Sequence, residues 1–491
     1  MKSLSKNKFN IINFSAYKEI HGQFTDEFIK SAGAVKIDET DNCILIAIRN
    51  IGENQTKNTL CQAFQNKKID FVPVSDTDYE EFIGKFVEKE SRKQETQISE
   101  ESVKFDAGDV SDSSVINIIN SIFLEAVRQK ASDIHIQPEE SVVKIRYRID
   151  GVLRTMRELP RNISKSLVSR LKVMANMNIM ETRLPQDGHI EINANGKKID
   201  ARFSSIPVQH GECIVLRLFN NDADLPSLNT LGFSPDNLTK IQKALSYPNG
   251  IILLTGPTGS GKTTTLHSIL ETLDKESLNI VTIEDPVERK IRGISQIQVN
   301  AEIGLTFESI LRRVLRQDPD VIMVGEIRDS ETAQLALRAA LTGHLLFATL
   351  HTNSSTSAPA RLANMGLDPY LISQILRISV AQRLVRKPCP KCCTEVIPDY
   401  EFTTACKKYG IKIPLKIIEA KGCKECGFSG FYGRTVISEI FVPNERSRKQ
   451  IVDEKSIKLE NAESLAADGI LKVAQGETTV SELKREGVFI L

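Results

Sequence analysis

The sequence predicts a multidomain α/β protein whose largest domain holds a phosphate-binding loop. A length of 491 residues suggests about three domains, since single hydrophobic cores stop growing well below that size. An apolar run from Gly250 to Thr255 turns through glycines into helical sequence, and the turn fills every fixed position of the pattern G-x-x-x-x-G-K-[ST]. The loop and the start of the helix comprise Gly256, Pro257, Thr258, Gly259, Ser260, Gly261, Lys262, Thr263 and Thr264.

This loop is expected to bind the phosphates of a nucleotide. A strand that turns through glycines into a helix exposes consecutive backbone N–H groups beside a positive helix end, which suits a phosphate group. Lys262 would reach the β and γ oxygens, and the Thr263 hydroxyl would bind Mg²⁺. The alternative is a glycine-rich turn that matches by accident. The strand-like run before the loop and the helical pattern over 264–273 favour the nucleotide site.

Charge and hydropathy restrict the class of partner. The chain has 64 Lys and Arg residues against 63 Asp and Glu, a formal net charge of +1, so no global field draws it toward nucleic acid or anionic lipid. The apolar stretches fall far short of the ~20 residues needed to cross a bilayer, and no apolar segment follows the basic start of the chain. We therefore expect a soluble or at most peripheral cytosolic protein, in which spaced cysteine pairs indicate metal more often than disulfides.

Composition divides the chain into four segments. Residues 1–88 mix short strand-like and helical runs and predict a small α/β domain. Residues 89–112 are charged and rich in Asp, Ser and Gly, which predicts a flexible linker. Residues 113–224 begin with a helical pattern and continue with strand-like runs, which predicts a second α/β domain. Residues 225–491 carry the phosphate loop and end in a helical segment.

Acidic side chains follow two further predicted strands of the third domain. The run 279–283 delivers Glu284, Asp285 and Glu288, and the run 320–324 delivers Glu326. Binding groups of open α/β sheets lie at the carboxyl ends of strands, so these acids are expected beside the phosphate loop. They could hold hydrated Mg²⁺ and orient or deprotonate the attacking water. The alternative for an isolated acidic run is a solvated turn.

Two histidines flank the apolar run 345–350, which is predicted to be the last strand of the sheet. His344 precedes the run and His351 follows it. The pair could sense the γ-phosphate of a bound nucleotide, whereas a lone histidine is usually structural.

Four cysteines predict a structural zinc site within a module at 385–436. Cys389 and Cys392 form one C-x₂-C pair, and Cys423 and Cys426 form a second. Two such pairs complete a tetrahedral zinc shell, although the spacer between them exceeds the usual range. Cys393 is a spare neighbour of the first pair.

Seven segments carry distinctive motifs: 131–138, 146–153, 184–188 and 210–212 in the second domain, and 319–329, 341–344 and 348–353 in the third. These motifs closely resemble those of the secretion ATPase superfamily, above all the assembly ATPases of type II secretion (the E component) and of type IV pili. The resemblance implies a RecA-like ATPase core preceded by a PAS-like α/β domain. His189 stands where the family pattern has an arginine.

The resemblance also implies roles for particular residues. Glu326 matches the Walker B glutamate, Glu284 and Glu288 match the Asp-box acids, and His351 lies in the His box. Arginines that could neutralise the γ-phosphate are Arg202 and Arg217 in the second domain and Arg312, Arg316, Arg328, Arg361 and Arg434 in the third. The alternative for each arginine is a surface ion pair.

The function implied is that of a cytoplasmic, homohexameric ATPase that uses ATP, Mg²⁺ and a structural Zn²⁺ to drive pseudopilus or pilus assembly at the inner membrane. Its partners would be inner-membrane assembly and platform proteins, bound through residues 1–88, with membrane contact only through them. One alternative is a nucleic-acid motor, which the near-neutral charge and the absence of Trp disfavour. Another is a docking protein that binds ATP without hydrolysing it.

Overall fold

The computed structural model describes residues 34–39, 43–49, 57, 60–61, 68–74, 112–194, 197–219, 225–453 and 464–489. The chain forms two compact units, residues 1–108 and 109–491. The linker predicted at 89–112 lies outside the described residues apart from Asp112. No helix within the described ranges is long and apolar enough to span a bilayer.

The first unit contains a three-stranded sheet. Its strands are β1 (Ala34–Glu39), β2 (Cys43–Ile48) and β3 (Lys68–Pro73). The central strand β2 pairs antiparallel with β1 and parallel with β3. Alternate residues of β2, Ile44, Ile46 and Ile48, are buried in one cluster, as expected where one face of a sheet is covered.

The second unit begins with a six-stranded antiparallel sheet, called here the six-stranded region (112–219). Its elements are α1 (Asp112–Arg128), β4 (Asp133–Pro138), β5 (Val142–Ile149), β6 (Val152–Pro160), α2 (Ser164–Met174), β7 (Gln186–Ala194), β8 (Lys197–Val208) and β9 (Gly211–Phe219). The strand order is β6-β5-β4-β9-β8-β7. Both helices contribute to one hydrophobic cluster with the apolar face of the sheet, and the other face carries charged residues.

The remainder of the unit, called here the seven-stranded region (225–489), alternates strands and helices. Its first elements are α3 (Pro235–Leu245), β10 (Gly250–Thr255), α4 (Lys262–Leu270), β11 (Ile280–Glu284), β12 (Ser295–Gln298), α5 (Phe307–Val314), β13 (Val321–Val324), α6 (Ser330–Leu341) and β14 (Leu345–Leu350). The later elements are α7 (Ala358–Asn364), α8 (Pro369–Ile375), β15 (Leu376–Pro388), β16 (Thr394–Val396), α9 (Tyr400–Lys408), β17 (Ile417–Glu419), β18 (Phe431–Phe441), α10 (Glu445–Val452), α11 (Leu465–Ala474) and α12 (Val480–Arg485).

The main sheet has the order β12-β11-β13-β14-β10-β15-β18. All neighbouring pairs are parallel except β15 and β18. Strand β10 is buried on both faces: Ile251 and Leu253 join one hydrophobic cluster, whereas Ile252 and Leu254 join the other. A strand covered on both faces must be apolar throughout, which explains the continuous run seen in the sequence. The predicted α/β class is confirmed.

The prediction that β14 is the last strand is wrong. Strand β15 pairs with β10 on the side opposite β14, and β18 pairs with β15 at the edge of the sheet. Polar side chains interrupt both strands, because Gln382 lies within β15 and Glu439 lies within β18. Both side chains are buried, and each is hydrogen-bonded: Gln382 to the Ser260 backbone oxygen and Glu439 to Ser355. The polar residues therefore lie inside strands and do not mark loops.

Candidate active site

The parallel sheet brings the predicted site residues to one edge. Strands β10, β11, β13 and β14 run in the same direction, so their carboxyl ends deliver Gly256, Glu284, Glu326 and His351 to the same side. Strand β14 lies between β10 and β13, which separates the phosphate loop from Glu326 by two strand spacings, about 10 Å. A small group can therefore bind between them.

The phosphate loop has a conformation that requires glycine. Gly256, Gly259 and Gly261 have φ of 146°, 79° and 88°. A Cβ atom on Gly256 would lie 2.6 Å from the backbone oxygen of Gln382, a distance that side-chain carbons do not tolerate. Gln382 also donates from Nε2 to the Ser260 oxygen at 2.8 Å. Strand β15 therefore holds the base of the loop while its tip stays exposed.

Lys262 begins helix α4 and folds back over the loop. Its Nζ donates to the Gly256 oxygen at 2.8 Å and to the Pro257 oxygen at 3.0 Å. Burial and the positive charge of Arg383 lower the pKa of Lys262, and the carboxylate of Glu326 acts in the opposite direction.

Glu326 is placed between two basic side chains. Its Oε1 accepts from Arg328 Nη2, and its Oε2 lies 3.6 Å from His351 Nε2. The backbone before it is fixed, because Thr349 Oγ1 donates to the Gly325 oxygen at 2.6 Å. A Cβ atom on Gly325 would lie only 3.1 Å from the Ile283 oxygen, so the close approach of β13 and β11 favours glycine there.

Glu284 lies in a buried polar network at the end of β11. Its carboxylate is within 3.0 Å of His267 Nε2 and accepts from Thr282 Oγ1 at 2.6 Å and from Gln296 Nε2 at 3.0 Å. Burial alone would raise the pKa of Glu284, but these hydrogen bonds outweigh burial and keep the pKa below its ordinary value. The side chain is 3% exposed, so its oxygens face the network and not the solvent of the loop.

Glu288 and the two histidines predicted beside β14 do not lie together. Glu288 is exposed on the turn after β11. His344 lies at the amino end of β14 and His351 after its carboxyl end, so the strand of about 20 Å separates them. The His344 ring contacts the Ala339 oxygen at 2.9 Å, at the end of helix α6. His344 therefore does not accompany His351 at the site, and the predicted pair is corrected to His351 alone.

The two arginines of the six-stranded region lie opposite each other on its charged face. Arg202 in β8 is the direct cross-strand neighbour of Arg217 in β9. Arg217 Nε donates to Asp133 Oδ1 at 3.1 Å. His189, which stands where the family has an arginine, is opposite Arg202 on the other side and lies 3.9 Å from Asp200 Oδ1.

The arginines of the seven-stranded region occupy different settings. Arg312 pairs with Glu308 one turn away in α5, Arg316 donates to the Arg312 oxygen, Arg328 pairs with Glu326, Arg434 pairs with Asp150, and Arg361 is exposed in α7. Of these five, Arg328 is in contact with a predicted catalytic acid.

Three residues at the site escaped prediction from sequence. Gln382 supports the loop, His267 contacts Glu284, and the positive charge of Arg383 lowers the pKa of Lys262. His267 carried a weak signal, because it lies on the helix that follows the loop. Gln382 and Arg383 carry none, since the sequence does not show that β15 pairs with β10.

The four cysteines of the two C-x₂-C pairs converge. Their Sγ atoms all lie within 4.8 Å of one another, and Cys426 Sγ is 3.8 Å from those of Cys392 and Cys423. A tetrahedral zinc ion with Zn–S bonds of about 2.3 Å requires sulfur pairs about 3.8 Å apart, so the cluster fits zinc. Cys393 lies outside the cluster, and its amide donates to the Cys389 oxygen at 3.0 Å.

Backbone amides point at the cluster sulfurs. Cys426 Sγ accepts from the amides of Cys423 and Gly430 at 3.2 Å, and Cys392 Sγ accepts from the amide of Gly422 at 3.3 Å. Burial raises the pKa of the Cys426 thiol, but the amides and neighbouring thiols outweigh burial and lower it to about 6. Such donors stabilise a thiolate, which is the form that binds metal.

Known proteins share this architecture. A family model described as "Type II/IV secretion system protein" matches residues 109–485. Type II secretion system protein E of Pseudomonas aeruginosa is 44% identical over 382 residues, 76% of each chain. Type II secretion system ATPase E of Vibrio cholerae is 45% identical over 383 residues, covering 76% of this chain and 75% of the relative.

A solved structure agrees with these relatives. The pilus retraction motor PilT with bound ADP is similar with a TM-score of 0.51 and 27% identity, over 75% of this chain and 96% of that one. The RecA-like core expected from the motifs is thereby confirmed. On the extent of the family match and the identity of these relatives, this chain belongs to the type II/IV secretion system protein family and is an ATP-hydrolysing secretion ATPase.

Proposed function

We propose that this chain forms a cytoplasmic homohexamer whose ATP hydrolysis drives assembly of a pseudopilus or pilus at the inner membrane. The observation that carries the proposal is that one edge of the sheet holds both the phosphate loop with Lys262 and the Glu326–His351 pair. The names of the Pseudomonas and Vibrio relatives point to type II secretion.

Lys262 and the loop amides bind the β- and γ-phosphates in this proposal. The Lys262 ammonium is held by neutral carbonyl oxygens, which a more strongly charged phosphate oxygen can replace. The Thr263 hydroxyl would bind Mg²⁺, which supplies charge neutralisation on the phosphates. The first turn of α4, which includes Thr264, presents the positive end of the helix to the same phosphates.

Glu326 orients the attacking water and accepts its proton. Its side chain is 18% exposed. Arg328 holds Oε1, whereas Oε2 lies 3.6 Å from His351 Nε2, beyond hydrogen-bond distance, and can accept from a water molecule. Glu284 supports this arrangement from within its buried network and is a positioning residue, because its hydrogen bonds already use its two oxygens. Glu288 is exposed and can contact the hydrated ion.

Arg202 and Arg217 complete the site when the six-stranded region closes on a nucleotide in the ring. A guanidinium neutralises the charge that develops on a transferred phosphoryl group. Residues 113–224 would carry these arginines on a domain separate from residues 225–491, so hydrolysis is coupled to domain motion. Cys389, Cys392, Cys423 and Cys426 would bind a structural Zn²⁺ in the 385–436 module.

The rate of ATP hydrolysis in two variants tests the roles of Lys262 and Glu326. Lys262→Ala should abolish ATP binding, whereas Glu326→Gln should bind ATP and release phosphate at least ~10²-fold more slowly, as expected for loss of water activation. Glu331→Gln, the same change at an exposed position on α6, is the matched control and should behave as wild type. Normal turnover in Glu326→Gln would contradict the role of this glutamate.

The dependence of the ATPase rate on protein concentration tests the proposed ring separately. If arginines complete the site only in an assembled ring, phosphate release per chain should rise steeply with protein concentration, in step with hexamer formed in sedimentation experiments. A rate per chain that is independent of concentration, with a monomer throughout, would contradict the ring.

A further inference from the structure

A row of charged residues crosses four neighbouring strands of the six-stranded region. Arg202 in β8 is opposite Arg217 in β9, Arg217 is opposite Asp133 in β4, and Asp133 is opposite Arg148 in β5. Directly opposite residues share one face of a sheet, so three guanidinium groups and one carboxylate lie side by side. Asp133 is the only acid in this row of the described sheet.

The Asp133 carboxylate is almost completely buried and fully engaged. Its side chain is 9% exposed. Oδ1 accepts from Arg217 Nε at 3.1 Å, and Oδ2 accepts from Ser132 Oγ at 2.8 Å and lies 3.6 Å from Arg148 Nε. The carboxylate is therefore fixed in place by strand pairing and by neighbours on both sides.

The contact uses one particular nitrogen of Arg217. Asp133 binds Nε, the nitrogen nearest the chain, while the Arg217 side chain remains 60% exposed. The two terminal nitrogens are then presented to solvent in a fixed plane. A guanidinium recognises phosphate through two parallel N–H groups, and less entropy is lost when the plane is set beforehand.

We propose that Asp133 is a positioning residue that holds the Arg217 guanidinium so that its terminal nitrogens face the nucleotide phosphate. The inference rests on the proposed function of Arg217 and extends it to a residue that does not itself contact the nucleotide. Asp133 has a second effect on the same side chain. Like charges directly opposite each other repel, and the carboxylate offsets the repulsion between Arg217 and Arg202.

ATP turnover of Asp133→Asn in the full chain tests the proposal. The asparagine keeps the shape and one acceptor oxygen but removes the charge, so kcat should fall about tenfold, the effect of one weakened charge-assisted hydrogen bond. The KM for ATP should stay within twofold, since the phosphate loop is untouched. Asp133→Glu keeps the charge of the row but displaces the acceptor, and it should also be slow while unfolding at the wild-type temperature.

The double variant Asp133→Asn, Arg217→Ala separates positioning from a general structural effect. If Asp133 acts through Arg217, the double variant should be no slower than Arg217→Ala alone. Glu139→Gln, which removes the exposed pair with Lys144 elsewhere on the sheet, is the control and should keep wild-type kcat.

Three results would overturn the inference. Wild-type kcat in both Asp133 variants, or rate losses that multiply in the double variant, would refute positioning by Asp133 while leaving the role of Arg217 intact. Full activity of Arg217→Ala would refute the proposed role of Arg217 and, with it, this inference.

Discussion

Asp150 Oδ1 lies 3.4 Å from Arg434 Nε, and Asp150 Oδ2 accepts from the Gly433 amide at 3.0 Å. Asp150 is in the turn between β5 and β6, whereas Gly433 and Arg434 lie at the start of β18, just after the cysteine cluster. Arg154 of β6 adds a contact by donating to the Cys426 oxygen at 3.3 Å. The cysteine cluster is therefore in direct polar contact with the six-stranded region.

Disruption of the cysteine cluster should weaken its contact with the six-stranded region. Cys426→Ser is expected to lose one zinc per chain and to raise hydrogen exchange both in residues 385–436 and in the turn at Asp150, because a site closed by four thiolates folds as it binds metal. Metal analysis and hydrogen exchange of the intact protein provide the measurements. Cys393→Ser, beside the cluster but outside it, is the control and should keep its zinc. Wild-type protein purified without zinc would contradict the site.

Glu284→Gln should distinguish a positioning residue from a catalytic base. The amide removes the charge that His267 Nε2 contacts and leaves a buried polar group poorly matched, at a cost of about 1–3 kcal/mol in the free energy of unfolding. We expect ATP affinity to persist and turnover to fall less than in Glu326→Gln. Denaturant unfolding and phosphate release measure the two effects, with the exposed Glu288→Gln as comparison. A stable Glu284→Gln protein with no turnover would instead identify Glu284 as the base.

The strands at the candidate site were predictable because their burial on both faces leaves a continuous apolar signature. Predicted strands at 279–283, 320–324 and 345–350 agree with β11, β13 and β14 to within one residue at either end. The acids after them were predictable for the same reason, since parallel strands share one carboxyl edge.

What the sequence could not supply is the partner of each polar side chain. Gln382 Nε2 donates to the Ser260 backbone oxygen, and Ser355 Oγ donates to Glu439 Oε1 at 2.8 Å. The two residues of each pair are far apart in the chain. Such contacts depend on β15 and β18, whose polar residues hide the apolar pattern. Similarly, nothing local distinguishes Glu284, which is enclosed by hydrogen bonds, from the exposed Glu288.

The pH dependence of stability should report the buried carboxylate of Glu482. Burial would raise the pKa of Glu482, but Arg485 and Arg386 lower it from 4.5 to about 2. Because this pKa is lower in the folded protein, the ionised carboxylate contributes about 3 kcal/mol to the free energy of unfolding. The contribution is fully present above pH 4.5 and is lost as the pH falls toward 2. Glu482→Gln should therefore be less stable than wild type at pH 7, and the gap should shrink in acid.

Hydrogen exchange in α11 and α12 at pH 7 and at pH 3.5 measures this gap locally. Glu486→Gln, which removes the outer partner of Arg485, is the control and should show little effect. A gap between wild type and Glu482→Gln that is constant across this range would contradict the electrostatic origin of the effect.

Deleting residues 1–88 should separate membrane attachment from ATP hydrolysis. Residues 1–88 lie within the compact unit 1–108 and contribute no described residue to the hydrophobic clusters of the second unit, so the deletion leaves those clusters intact. We expect ATPase activity within a few-fold of wild type, while the truncated protein leaves the membrane fraction, because the proposed inner-membrane partner binds this segment. The full chain carrying Lys262→Ala is the control for fractionation and should stay attached without hydrolysis. If the truncated protein remains with the membrane, the attachment lies in residues 109–491, and the six-stranded region is the first place to test.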